Sequence, residues 1–237
     1  MKTIIVMGNG PSLRNIDLDV LKQYDTFGLN VAYRIYEDKN FYPTYFGSFD
    51  CNMNVTHKNQ FSNLIRNNNS IQKFFLVGDY QLKQSIYDYD ILNNDKFVKI
   101  NFNLQNKSLS KSFDEFNNLG SSGANAVQAA ILMGYDNIIL LGCDCNYYNT
   151  EGMKINGPKQ YIIKKTIDNP NSWFDEYHIP GDVSWTPKRD ACQIPSWNNL
   201  YNVIPNNVKV VNCSEISTIP FFSIRNFYEY LNEINKE

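Results

Sequence analysis

Apolar positions along this chain fall into short runs separated by amphipathic or polar stretches. Lys2 to Met7 holds a β-branched run closed by Gly8, the signature of a buried strand. Ile16, Val20 and Leu21 follow at helical spacing, with Ser12 placed to cap that helix. Thr26 to Asn30 and Thr44 to Phe49, the latter ending at Asp50, read as two more short strands, with a helix over residues 57–68. Lys73 to Val77 is a strand ending in Gly78, and Phe97 to Ile100 a weaker one. Residues 103–120 are rich in Asn, Ser and Lys and read as a surface loop with a short helix.

The clearest unit comes next. Gly123 to Tyr135, with Ala at 124, 126, 129 and 130, is apolar nearly all round, which predicts a buried helix. Asp136-Asn137 turns the chain into Ile138 to Leu141, an uninterrupted apolar strand ending at Gly142 with Asp144 just beyond. A strand without polar alternation beside a buried helix belongs to a parallel sheet covered on both faces. Residues 149–187, broken by Pro and Gly and carrying Trp173 and Trp185, read as a lid or irregular excursion. A helix near 196–202, a strand over Val208 to Val211 and a helix around 223–234 complete one α/β doubly wound domain spanning 1–237.

Composition narrows the function classes. The net charge is −2 and no block of Lys or Arg stands out, so the electrostatic footprint of a nucleic-acid binder is missing. No apolar stretch approaches the roughly 18 residues of a membrane span. The run Thr3 to Met7 is too short for a signal-peptide core. Five Cys (51, 143, 145, 192, 213) in no framework spacing fit reduced thiols in a cytoplasmic protein. Aromatics reach 14%, which an Asn- and Lys-rich background with Phe and Tyr in place of Leu accounts for.

Gly8-Asn9-Gly10-Pro11-Ser12 lies between a strand and an expected helix, where glycines let the backbone approach a phosphate. Leu13 stands where a third glycine would complete G-x-G-x-x-G, and no Gly-Lys-Ser/Thr follows. A plain tight turn is the competing reading. Carboxyl ends of parallel strands converge on one crevice, and those ends carry Gly8-Asn9, Asn30, Ser48 to Asp50, Gly78-Asp79 and Gly142 to Asp144. The turn Ser121-Ser122-Gly123 adds a helix N-terminus. These short hydrogen-bonding groups suit a base and ribose, though each could equally cap or turn. Asp144 is read as a ribose- or phosphate-side group or a structural cap before a metal ligand. Two His and scattered Cys argue against zinc, and Cys143-x-Cys145 is too close for the usual ligand spacing. His57 reads as a surface residue. His178, between Pro-rich breaks and near acids, is either a general base tuned near neutral pH or a structural residue.

Two blocks carry a resemblance. Lys2 to Leu13, with its Gly-Asn-Gly-Pro-Ser-Leu core, and Ser122-Gly123 through the Ala-rich helix to Gly142-x-Asp144 resemble Campylobacter-type bacterial sialyltransferases, glycosyltransferase family 42. The same blocks are similar to the MptE-like 6-hydroxymethylpterin pyrophosphokinase domains, which share the Rossmann-like core but not the sugar chemistry. The first resemblance implies that Gly8, Asn9, Gly10, Asn30, Ser121, Ser122 and Gly123 hold a cytidine monophosphate sugar, and Pro11, Ser12, Asp50 and Asp144 are counted with them as nucleotide-binding candidates. Asp50 stands where that family has Asn, Ser121 replaces its Thr, and Leu119-Gly120 replaces its Arg. It further implies His178 as the catalytic base, and Tyr147 or Tyr148 with Tyr161 at the leaving phosphate. The expected partners are a nucleotide-sugar donor and a glycan acceptor, with no obligatory cofactor or metal and with homo-oligomerisation left open. The second resemblance implies diphosphate transfer from ATP to a pterin alcohol, with Mg²⁺. A catalytically silent nucleotide-binding module is the third reading.

Overall fold

The computed structural model describes residues 1–78, 86–147, 152–156, 159–164, 169–185 and 188–236. Its strands, in chain order, are β1 (Thr3–Met7), β2 (Asp25–Leu29), β3 (Tyr45–Ser48), β4 (Lys73–Val77) and β5 (Phe97–Ile100). They continue with β6 (Phe102–Asn103), β7 (Phe116–Asn117), β8 (Asn137–Leu141), β9 (Met153–Asn156), β10 (Lys159–Ile162), β11 (Val183–Trp185) and β12 (Lys209–Asn212). Seven of them form one sheet in the order β12-β8-β1-β2-β3-β4-β5, parallel throughout. The fold is α/β, Rossmann-like and doubly wound, as the uninterrupted apolar strands required.

Both sheet faces are buried, and period-two alternation sorts each strand between them. Ile5 and Met7 of β1, Phe74 and Leu76 of β4 and Ile139 and Leu141 of β8 join one core, with Phe61, Ile65, Phe227 and Tyr230 from flanking helices. Ile4 and Val6, Phe75 and Val77, and Ile138 and Leu140 join the other, against Ala126, Val127 and Ala130 of the Ser122–Leu132 helix. That helix carries Ala because it lies directly on the sheet. It stops before Tyr135, whose hydroxyl is 2.6 Å from Asp25 Oδ2 and 3.0 Å from Tyr45 Oη.

Several expectations are corrected. Ser12 does not cap a helix. It lies inside the 3-10 turn Pro11–Asn15, Ile16 is extended, and the helix Leu18–Leu21 takes its cap from Asp17, whose side chain accepts from Asp19 N–H. The 103–120 segment has no helix. β6 and β7 pair in parallel, and Asn side chains turn the chain, Asn103 Oδ1 accepting from the N–H of Gln105 and Asn106. In residues 149–187, the described part is more regular than expected: β9, β10 and β11 form an antiparallel sheet in the order β11-β10-β9. The late helices run Ile194–Tyr201 and Phe227–Ile234, the second capped by Asn226. The five cysteines are free thiols. Among the described residues no helix is long and apolar enough to cross a membrane.

The chain passes from β1 through β2 to β5 on one side, then returns to β8 on the other side of β1. The loops leaving β1 and β8 therefore share the switch point at the sheet's carboxyl edge. They are joined there by backbone bonds, Gly8 N–H to Leu141 O at 2.7 Å and Gly10 N–H to Gly142 O at 2.8 Å. A Cβ on Gly8 would lie 2.2 Å from Gly142 O, and neither backbone is free to move. Gly8→Ala should accordingly cost about 1–3 kcal/mol or more, a fall in Tm of roughly 3–10 °C for a domain of this size. Thermal unfolding checks this, and an unchanged Tm would contradict the close approach.

Candidate functional site

A cleft of about 800 Å³ opens at this switch point. Gly8, Asn9 and Gly10 form part of its wall, with Leu29 and Asn30 after β2 and Phe49 and Asp50 after β3. Ser121, Ser122 and Gly123 line it from the start of the Ala-rich helix, and Gly142 to Tyr147 from the loop after β8. Tyr177 and His178 line it from the opposite segment, 169–182. Positions more than a hundred residues apart thus meet in one place, as the strand-end argument anticipated for Gly8-Asn9, Asn30, Phe49-Asp50 and Gly142 to Asp144, whereas Ser48 and Gly78 do not line the cleft.

Each group arrives there for a local reason. Asn30 adopts φ +55°, a left-handed conformation that Asn tolerates better than most residues, and this turns the chain out of β2. Its Oδ1 lies 3.4 Å from Ser122 Oγ, linking two cleft walls. Ser121 Oγ caps the helix by accepting from Ala124 N–H, so the first N–H groups of that helix, which have no intrahelical acceptor, lie at the cleft. Asp50 caps the short helix Cys51–Thr56, its Oδ1 accepting from Asn52 and Met53 N–H, while still lining the cleft. This nucleotide-binding candidate therefore has a structural task of its own.

Asp144 is largely committed to structure. It is 2% exposed and accepts from both Ser12 N–H, at 2.9 Å, and Ser12 Oγ–H. Burial pushes its carboxyl up, against the pull of those two bonds. A Cβ on Gly10 would lie 2.3 Å from Asp144 Oδ2, so this glycine makes room for the carboxylate. Pro11 and Ser12 do not line the cleft; they lie in the 3-10 turn Pro11–Asn15. Tyr147 lines it with a 42% exposed side chain, whereas Tyr161, 39% exposed on β10, does not. Tyr148 and Asp79 lie outside the described residues.

The wall that carries His178 is held by residues that the sequence reading passed over. Arg14 donates to the carbonyls of Asn169 and Ser172 and lies 3.7 Å from Asp175. Trp173 N–H donates to Asn9 O at 3.1 Å, and Asn9 Nδ2 donates to Leu29 O at 3.0 Å. Arg34 donates to Tyr177 O and to both oxygens of Asp182. The sole sequence signal was the presence of two arginines, each just after a candidate strand-end motif, in a chain with few of them. Tyr177, buried on the cleft wall, was also missed; burial and then the Asp50 charge push its phenol up, so it remains a neutral donor.

His178 is half-buried, with its ring centroid 4.8 Å from that of Tyr177. Burial lowers its pKa to about 4, with Asp182 opposing and Arg34 and His57 adding to the effect. The imidazole is therefore neutral rather than tuned near pH 7. His57 corrects the surface reading: it is 2% exposed, its Nδ1 is 3.0 Å from Tyr33 Oη, and its ring packs on Phe61. Burial lowers its pKa to about 4 as well. Among the described residues, no group of three or more His, Cys, Asp or Glu side chains is arranged to hold a metal ion.

A family model described as 6-hydroxymethylpterin diphosphokinase MptE-like matches residues 1–150. The MAf glycosyltransferase from Magnetospirillum magneticum AMB-1 is similar in structure, with a TM-score of 0.54 at 14% identity over 95% of this chain. The match takes in 33% of that protein, so this chain spans about a third of its length, and the likeness is one of fold. The sialyltransferase CstII from Campylobacter jejuni, in complex with the substrate analogue CMP-3FNeuAc, aligns with a TM-score of 0.48 at 16% identity, over 94% of this chain and 86% of that one. No curated protein sequence matches.

The two histidines set an acid limit on stability. Their folded pKa values near 4 lie below the ordinary 6.5, so the unfolded chain takes up protons first as pH falls. The stability they contribute is complete above about pH 6.5 and is lost progressively down to pH 4. For His57 the loss between pH 7 and pH 5 should be about 2 kcal/mol, roughly 5 °C in Tm, and less for the half-exposed His178. Melting curves at the two pH values test this, and His57→Phe should show a smaller drop than wild type. An equal drop would mean that His57 titrates normally in the folded protein.

Proposed function

This chain belongs to the 6-hydroxymethylpterin diphosphokinase MptE-like family, and from that premise and its cleft we propose that it is a glycosyltransferase acting on a CMP-linked acidic sugar. One observation carries the reading. The sequence blocks that resemble the family 42 sialyltransferases, Gly8 to Gly10, Ser121 to Gly123 and Gly142 to Asp144, line one cleft together with His178 and Tyr147.

The reaction is an inverting displacement. The acceptor hydroxyl oxygen forms a bond to the anomeric carbon as the bond from that carbon to the phosphate oxygen breaks, the electron pair leaving with cytidine monophosphate. His178, neutral at physiological pH, takes the acceptor proton. Tyr147 and the N–H groups of Ser122 and Gly123 donate to the phosphate as its charge grows. The leaving group carries a single phosphate, so the step requires no metal. A cytoplasmic location fits a soluble nucleotide-sugar donor.

The family match favours a second reading, diphosphate transfer from ATP to a pterin alcohol with Mg²⁺. A non-catalytic nucleotide-binding module is the third. A thermal-shift series separates them, because ligand binding raises apparent stability. CMP should raise Tm more than UMP, AMP or GMP, with no requirement for Mg²⁺, and turnover should survive EDTA. A shift seen only with ATP and Mg²⁺ would move the assignment to the diphosphokinase. His178→Ala should lower turnover by about 10² to 10⁴ while CMP affinity barely moves. The acid limb of wild-type kcat/KM should fall near pH 4 rather than 6.5, since that profile reports the free enzyme. Full activity in His178→Ala would remove the residue from the mechanism.

A further inference from the structure

We propose that the Arg34–Asp182 ion pair is a positioning device for His178, fixing the backbone on both sides of the imidazole; the inference rests on the functional reading of His178 given above. The pair is nearly enclosed, its side chains 13% and 9% exposed, with contacts of 2.6 and 2.8 Å to the two carboxylate oxygens. Each partner also reaches a main-chain group next to His178. Arg34 Nη1 donates to Tyr177 O at 2.9 Å, and Ile179 N–H donates to Asp182 Oδ2 at 3.0 Å. The peptide groups before and after His178 are thereby tied to a single salt bridge, whose cationic end sits on the short helix Tyr33–Tyr36, four residues beyond the cleft residue Asn30.

The chemistry explains why an ion pair is used here. A guanidinium presents several donors in a fixed plane, so it can serve a carboxylate and a carbonyl at once. A carboxylate has lone pairs left to accept an N–H. Burial pushes the Asp182 carboxyl up, but the bonds from Arg34 and Ile179 N–H outweigh this and hold it below its ordinary value. Arg34 is in turn kept charged. The groups that act on the His178 ring are Asp182, Arg34 and His57, with the Tyr177 ring against it. Loss of the pair leaves the imidazole in the cleft but frees its backbone to rotate, and a base out of line by about 1 Å can lose on the order of 10² in rate.

Deleting one side chain alone, as in Asp182→Ala, would strand a buried charge with no acceptor and endanger the fold. The informative variant is therefore the paired apolar replacement Arg34→Met with Asp182→Leu, a kind of exchange that enclosed ion pairs often tolerate. It fills the space with apolar side chains while deleting both backbone bonds. The expected result is a folded protein with near-wild-type Tm and CMP affinity, unchanged donor KM and kcat lowered about 10-fold to 100-fold. In a His178→Ala background the same pair of substitutions should add almost nothing, since effects acting through one residue do not add. Asp182→Asn, which retains an acceptor for Ile179 N–H, should fall between the two.

A second readout needs no turnover. The chain has two His, so the imidazole resonances of ¹³C-histidine-labelled protein can be assigned with His57→Ala and His178→Ala. The paired replacement should move and broaden the His178 signal. If wild type transfers no sugar yet that signal still responds, the glycosyltransferase reading fails and the positioning role stands. An unmoved His178 signal, or a kcat loss that persists in full in the His178→Ala background, overturns the proposal. Should the paired variant not fold, the Asp182→Asn signal and its kcat-to-KM split decide in the same way.

Discussion

β1 and β8 run side by side and leave the sheet at the same edge, so the two loops that follow them compete for the same space. The chain resolves this by joining the loops rather than separating them. Gly10 N–H binds Gly142 O, and Ser12 donates twice to Asp144. Backbones this close leave no volume for a Cβ at Gly8 or Gly10. The glycines of the first loop therefore serve the joint between strands before they serve any phosphate. The consequence for the cleft is rigidity. Asn9, between those glycines, spans from Leu29 O to Trp173, connecting the floor to the wall that carries His178.

That wall depends on arginine cations meeting main-chain carbonyls. Segment 169–182 has little regular structure of its own beyond the turn Asp175–Tyr177. Its carbonyls at Asn169, Ser172 and Tyr177 are satisfied by Arg14 and Arg34, which extend from the elements after β1 and β2. Charged donors make stronger hydrogen bonds than neutral ones, and an irregular segment has few other ways to satisfy enclosed carbonyls. The same arrangement shapes the titration of the site. Enclosure lowers the histidine pKa values and the guanidinium holds Asp182 ionised, so the cleft presents a neutral imidazole beside a fixed ion pair.

The sheet was legible in the sequence because apolar runs such as Ile138 to Leu141 have no other stable home than between two covered faces. The convergence of Gly8, Asn30, Asp50, Ser122 and Gly142 on one cleft followed from the same rule, since strand ends of a parallel sheet share an edge. What was not legible depended on contacts between distant residues. Ser12 looks like a helix cap until Asp144, 132 residues away, takes its hydroxyl and leaves capping to Asp17. His57 lies in a polar stretch and reads as exposed, yet Tyr33 and Phe61 enclose it. The β9–β11 sheet escaped notice because its Pro and Gly breaks outweigh strands of three or four residues. Arg14 and Arg34 carry no local pattern at all, because their partners are carbonyls of a segment more than 140 residues on.

The two enzymatic readings place different demands on Asp144. Diphosphate transfer brings a triphosphate and Mg²⁺ to the strand ends, and a carboxylate at the end of β8 is a natural ligand for the ion. Asp144 accepts from Ser12 N–H and Oγ–H and also lines the cleft, so an ion there would draw on the lone pairs those bonds leave. Transfer from a sugar monophosphate makes no such demand. In that proposal the carboxylate keeps its Ser12 bonds, and the phosphate would meet helix N–H groups and a Tyr hydroxyl. The β1 loop is closed on Asp144 in a chain of the diphosphokinase-like family, and the sugar-transfer proposal leaves that closure intact.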